Sequence, residues 1–224
     1  MSKLPPNHDP DDLDDLDEDN DVEDLTDDDE VEDEPVLALP GTGGARRAIT
    51  WQLWPALRTR VSRETLRLLA RRLRRAAPRV GVALDDLSGI TVSVVDDAEI
   101  QRLNLAHMGK DKPTDVLSFP GRPPGDDGGL AAMGVPLGDI VLSWDAVLRQ
   151  SAARLAPTAS DLELASAALD EATVLAIHGL CHLLGHDHAL RAEARLMHRR
   201  ELRGLRAARV ADIPRPYGLR PTRT

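Results

Sequence analysis

Residues 178–188 read HGLCHLLGHDH. No other stretch of the chain constrains its fold and chemistry as tightly. His178 and His182 are four residues apart, which on a helix places both imidazoles on one face, one turn apart. Gly185 follows three residues later, where helices commonly end in a residue at positive φ. The chain can then turn back and present His188. Three histidines at i, i+4 and i+10 can converge on one cation, and neutral imidazole is a good ligand for Zn²⁺. Three protein ligands leave a fourth position for water, which distinguishes a catalytic zinc site from a structural one. The competing interpretation is a histidine-rich helix end without metal, and the turn glycine within the set argues against it.

The ligand spacing matches the metzincin protease pattern H-E-x-x-H-x-x-G-x-x-H at every histidine. The catalytic glutamate is missing, because Gly179 stands in its place. A zinc peptidase needs that carboxylate to take a proton from water and deliver it to the leaving amine. The chain therefore offers a metal scaffold without peptidase machinery. A zinc hydrolase of peptides or small molecules is disfavoured, and a phosphodiester, whose alkoxide leaving group needs less help, suits the site better.

Two more blocks stand upstream. VSVVDDAEIQRLN (92–104) is followed by GKDKPTDVLSFP (109–120), and LGDIVLS occupies 137–143. With HGLCHLLGHDH, which is similar to the signature H-G-x-L-H-L-x-G-Y-D-H, these ordered blocks resemble the YbeY family, metal-dependent endoribonucleases of bacterial rRNA maturation. The resemblance runs from about residue 46 to about residue 206. It implies an α+β fold, with a small mixed four-stranded sheet packed with helices and the three-histidine metal site at the end of a long helix. It implies one Zn²⁺ per chain held by His178, His182 and His188. It also implies cleavage of single-stranded RNA in rRNA 3′-end maturation and ribosome quality control. The implied partners are rRNA, the small ribosomal subunit, and a ribosome-assembly GTPase or small-subunit ribosomal protein. The chain departs from the family twice. Tyr-Arg usually precedes GKDKPTD, whereas His107 and Met108 stand here, so a guanidinium able to clamp phosphate is replaced by a thioether. His186 takes the place of the signature tyrosine. The first departure raises an alternative, a ribosome-assembly binding factor with weak or lost nuclease activity.

Beyond the metal and its water, Lys110, His107 and Asp187 are candidates for the reaction. Lys110, Lys112 and Thr114 could hold backbone phosphates, the lysines as point charges and the threonine as a donor. Alone, that segment reads as a turn with two solvated lysines. Asp187, beside His188, could orient a ligand imidazole, as carboxylates commonly do. Asp139 could do the same from a strand, although a turn contact is the simpler role. Asp115 is either a strand-start anchor or a site residue, and Ser118 reads as structural. Cys181 reads as a small core residue. His198, among arginines, reads as solvated, and His186 as a surface residue.

The formal charge of −10 averages two opposite parts. Residues 1–40 contain 18 acids and a single base, Lys3, and the remainder has an excess of bases. The DDLDDLDEDNDVEDL stretch is too charged to form a core, so residues 1–44 read as an acidic disordered tail and hinge. The tail would act either as a solubility element or as a tethered polyanion competing with RNA. Residues 45–210 form the endoribonuclease domain, and 211–224 a loose basic tail. A basic domain attracts polyanions. Aromatic residues are few (Trp51, Trp54, Trp144, Phe119 and Tyr217) and form no evident platform for stacking bases. A single cysteine suits a reducing cytoplasm, and the sequence shows no signal-peptide pattern and no apolar run of membrane-spanning length.

Patterning predicts strands at 48–54, 89–95, TDVLSFP and LGDIVLS. It predicts helices from Ser62 to about Ala77 before Pro78, from Asp96 or Asp97 to about Leu105, and over 145–155, 161–184 and 191–206. Residues 121–136 read as a flexible loop. Arg63, Arg67, Arg71, Arg74 and Arg75 cover the polar face of the first helix. That face is either solvated or an RNA contact, with Arg71 and Arg75 as the contact candidates.

Overall fold

The computed structural model describes residues 48–126 and 128–211. The assignments for the N-terminal tail and hinge and for nearly all of the C-terminal tail lie outside them. Four strands, β1 (Thr50–Leu53), β2 (Ile90–Val95), β3 (Val116–Pro120) and β4 (Gly138–Ser143), form one sheet in the order β1-β2-β4-β3. β1, β2 and β4 are parallel, with Val92 opposite Trp51 and Ile140. β3 closes the edge antiparallel to β4, Ser118 opposite Ile140. The fold is thus α+β with a mixed four-stranded sheet, as expected.

Strand alternation divides the apolar side chains between two faces. Val92, Val94, Ile140 and Leu142 join the main core with α1 (Arg63–Val80), α5 (Asp161–Leu183) and α6 (Arg191–Ala208). Val95, Leu117 and Val141 form a smaller cluster with Ile100 of α2 (Asp97–Met108). α3 (Gly129–Ala132) and α4 (Trp144–Ala152) are the other α-helices among the described residues, with 3-10 turns at Pro55–Leu57 and Leu84–Gly89. α5 is fixed at its start by a reciprocal cap. The Ser160 hydroxyl accepts from the Glu163 N–H, and the Glu163 carboxylate accepts from the Ser160 N–H. Its second half is almost wholly buried.

Four expectations are corrected. α1 runs through Pro78 to Val80 and ends at Gly81, φ 116°. Proline lacks only one donor there, near the helix end, and Ala77 and Val80 are both fully buried. Packing outweighs the local break. α2 continues to Met108, three residues past the expected end. The 121–136 segment is tied down rather than open: Arg122 is buried and pairs with Asp86 at 2.8 Å and Asp126 at 3.2 Å, and α3 lies within the segment. Finally, α5 is long and apolar enough by composition to cross a membrane, but 67% of the relevant window is buried inside this fold, the mark of a core helix.

Candidate metal centre

His178 and His182 occupy the last turns of α5. The helix closes with the Gly185 N–H donating to the His182 carbonyl at 2.9 Å and the His186 N–H to the Cys181 carbonyl at 3.0 Å. Gly185 has φ 77°, and a Cβ there would meet Pro124 Cβ at 2.4 Å. Both the backbone conformation and the contact therefore require glycine. Past this reversal, the Asp187 carboxylate accepts from the His188 N–H at 2.6 Å. That bond is the chief reason the Asp187 carboxyl lies below its usual range.

One ligand atom from each of His178, His182 and His188 lies within 4.8 Å of the others. The Nε2 atoms of His178 and His182 are 3.1 Å apart, close to the roughly 3.3 Å that two nitrogens about 2.05 Å from a tetrahedral zinc would show. The His182 imidazole is pushed down to about 4, first by burial and then by its two histidine neighbours, so it is neutral near pH 7 with a lone pair to give. His178 Nδ1–H donates to Glu201 Oε1 at 2.8 Å, which leaves Nε2 as the ligand atom. Glu201 is 1% exposed on α6. Donor chemistry, spacing and outer partner all fit a divalent transition metal.

Glu201 is the site residue that sequence reasoning missed, with Asp187 and Asp139 considered for its role. A signal was present: Met197, Glu201, Leu205 and Ala208 follow one another along the buried stripe of α6, so the acid sits on an apolar face. Asp187 instead holds the turn through the His188 backbone. Asp139 is exposed near the start of β4, opposite Thr91 and Phe119. His198 is corrected from solvated to largely buried. Its ring is 12% exposed with Nδ1 3.7 Å from Glu201 Oε2, and among the described residues neither ring nitrogen has a hydrogen-bond partner. His186 is half-buried, near Arg200. Cys181 is fully buried in the main core, as expected.

The histidines form one wall of a cleft of about 530 Å³, whose other walls include Met108, Thr114, Asp115 and Ser118. Asp115 also anchors the start of β3. Its carboxylate accepts from the Val116 N–H at 3.0 Å and from Gln150 Nε2 at 3.1 Å. Met108 is 47% exposed at the end of α2. Lys110 and Lys112 are exposed on the following turn, outside the cleft lining. That turn is held by Asn104 Nδ2, which donates to the Lys112 carbonyl at 2.8 Å. His107 also lies outside the cleft lining, edge-on to Phe119 with ring centroids 4.9 Å apart. Arg71 and Arg75 are exposed on α1, likewise away from the cleft lining.

Gly179 points at the sheet. A Cβ there would lie 2.8 Å from Ile140 Cγ2 and 3.1 Å from Ser118 Oγ. Close packing of α5 on β4 and β3 leaves no room for the glutamate that a zinc peptidase carries at this position.

The molecule is thus an α+β domain whose three convergent imidazoles, beside an open cleft, could hold a metal ion. Sequence comparison is more specific: the family model for Endoribonuclease YbeY matches residues 58–208. The chain belongs to the YbeY family. It is similar to the Endoribonuclease YbeY of Deinococcus radiodurans, 43% identical over 99 residues, which are 44% of this chain and 55% of that one. Its match to the Roseiflexus castenholzii protein of the same description is 38% identical over 46% of this chain and 61% of that one. The first two relatives are thus matched over less than two thirds of their length. The Magnetococcus marinus counterpart is 35% identical over 63% of this chain and 90% of its own.

Proposed function

We propose that this chain is a metal-dependent endoribonuclease that cleaves single-stranded RNA in rRNA 3′-end maturation and ribosome quality control. The single observation that carries the reading is the convergence of His178, His182 and His188 on an open cleft in a chain of the YbeY family. Zinc is the metal proposed, with the cytoplasm as the compartment and rRNA on the small ribosomal subunit as the setting. A ribosome-assembly GTPase or a small-subunit ribosomal protein would be the accompanying partner.

When bound, the metal would supply Lewis acidity toward a phosphoryl oxygen and acidify water or the ribose 2′-OH. The protein contributes position and charge. Glu201 fixes the ring of His178, and the Asp187 bond fixes the backbone that carries His188. Thr114, on the cleft wall, offers a hydroxyl to a phosphate oxygen, while Lys110 and Lys112 lie on an exposed turn where they attract the RNA backbone. Gly179 supplies no carboxylate base, which suits a phosphodiester better than a peptide.

The test compares metal-loaded and chelator-treated protein on single-stranded and structured rRNA fragments. Cleavage of single strands, abolished by chelator and by His182→Ala, is the expected result. A 2′,3′-cyclic phosphate end would identify the 2′-OH as nucleophile, and a 5′-phosphate would identify water. Equal cleavage by the wild type and the His182→Ala variant would overturn the reading. Met108 motivates a second one, because an apolar side chain lines the cleft where the family usually has an arginine. On that reading the chain binds assembling ribosomes and cleaves weakly.

A further inference from the structure

α1 and α6 pack side by side in opposite directions. Gly204 lies against Val80, Arg200 Nη1 donates to the Val80 carbonyl at 2.9 Å, and at the other end Ala208 and Arg209 meet Leu68, Arg71, Arg72 and Arg75 around a hollow of about 250 Å³. The buried stripes of the two helices are apolar apart from Glu201, and their outer faces are dominated by arginine. The only acid on α1 is Glu64, and α6 carries Glu193 and the buried Glu201, which is turned to His178. Arg71 is engaged by Glu64 at 3.0 Å and Arg72 by Asp170 at 2.6 Å. Among the described residues no carboxylate pairs with Arg75 or Arg209.

Arg209 adds an independent observation. It caps α6 at φ 59°, the only non-glycine at positive φ among the described residues. Glycine is the ordinary occupant of such a cap, since a side chain there crowds the backbone. The strained residue lines the same hollow as Arg71 and Arg75.

We propose that this two-helix ridge, centred on Arg71, Arg75 and Arg209, seats the phosphate backbone of helical RNA, on a surface separate from the histidine cleft. The proposal rests on RNA as the substrate class and adds where its duplex part docks. Guanidinium groups match phosphate in a planar, bidentate fashion. Duplex RNA is recognised mainly by shape and backbone, which needs no stacking platform. An anionic membrane fits less well, because an interfacial helix requires a broad apolar face. Among the large hydrophobics exposed in the described residues, only Leu196 lies on either helix.

The test is binding of a labelled RNA hairpin to full-length protein in excess chelator, so that cleavage does not contribute. Arg209→Gly should keep or raise Tm, because it relieves the cap, and should still weaken binding several-fold. Arg71→Ser, Arg75→Ser and Arg209→Gly together should weaken it on the order of tenfold or more at low salt. They should also flatten the slope of log affinity against log salt by about 0.7–0.9 per lost phosphate contact. Wild-type affinity and slope in the triple variant would overturn the proposal. So would a loss in Arg209→Gly that merely tracks a fall in Tm, or binding to anionic vesicles without binding to the hairpin. Failure of the nuclease reading would show separately, as metal-loaded protein that cleaves nothing while ridge-dependent hairpin binding persists.

Discussion

The Oε1 atom of Glu201 accepts a hydrogen bond from Nδ1 of His178 at 2.8 Å, a contact that couples α6 to the histidine-bearing end of α5. The carboxylate is almost fully buried, so it has no competing water shell. It selects the tautomer that exposes Nε2 and holds the ring in place. Glu201→Gln nearly preserves the shape of the side chain but removes its charge. Metal affinity, read by competition with a chromophoric chelator, should fall about 10- to 100-fold, the usual range for loss of such an outer partner. Unchanged affinity in Glu201→Gln would show that the contact is only structural.

The pH response of the metal-free protein follows from His182. Its imidazole titrates near about 4 in the folded chain, lowered by burial and then by His178 and His188, against about 6.5 in an unfolded one. Between these values the unfolded chain binds more protons, so stability rises with pH and is lost as pH falls through the window. His186, lowered by burial and by Arg200, acts in the same direction. Urea midpoints for the metal-free wild type should therefore fall from pH 6.5 toward pH 4, and His182→Asn should flatten that decline. Parallel declines in the two proteins would assign the effect to other groups.

Much of this site was legible in the sequence because local rules fix it. The i, i+4 spacing, the turn glycine and the returning histidine are one short segment, and all three imidazoles meet as the spacing requires. The strands and α1 were legible because their apolar periods are regular. What escaped depends on tertiary packing. Pro78 sits inside α1 because Ala77 and Val80 are buried on the neighbouring helices. Arg122 pins the 121–136 segment through Asp86, a partner far away in sequence. Glu201 meets His178 only because α6 folds back along α5. Nothing in local propensity encodes such partners.

Gly179 tests the separation of this site from peptidase chemistry. An added Cβ would press on Ile140 and Ser118, and overpacking costs about 1–3 kcal/mol. Alanine recovers up to about 1 kcal/mol through helix propensity. Gly179→Ala should then lose about 1 kcal/mol net, measured as a lower urea midpoint at unchanged m-value. Gly179→Glu restores the peptidase pattern in sequence but drives a carboxylate into the packed sheet. It should lose much more stability and gain no activity on peptide substrates. A stable, peptide-cleaving Gly179→Glu variant would refute the packing argument.

If the cleft cleaves RNA as proposed, Met108 sets how strongly it can do so. It ends α2, is 47% exposed, and lines the same cleft as the three histidines. A thioether there offers no hydrogen bond to a phosphate that gathers charge as the scissile bond breaks. An arginine at the same place would offer up to five donors and a permanent charge. One such electrostatic contact in a catalytic site is worth about 2.7–4 kcal/mol, or about 100- to 1,000-fold in rate. The exposure of Met108 means that the longer side chain can enter the cleft without displacing the core. Met108→Arg should therefore raise kcat on single-stranded RNA substantially, with metal content unchanged because the histidines are untouched. Lys110 follows one residue after Gly109, on an exposed turn rather than in the cleft lining, so at rest it does not take the arginine's place. A high wild-type rate that falls in Met108→Arg would show the opposite, that Lys110 or His107 swings in when RNA is bound. Lys110→Ala and His107→Ala, measured in the wild-type background, would then identify which of the two does so.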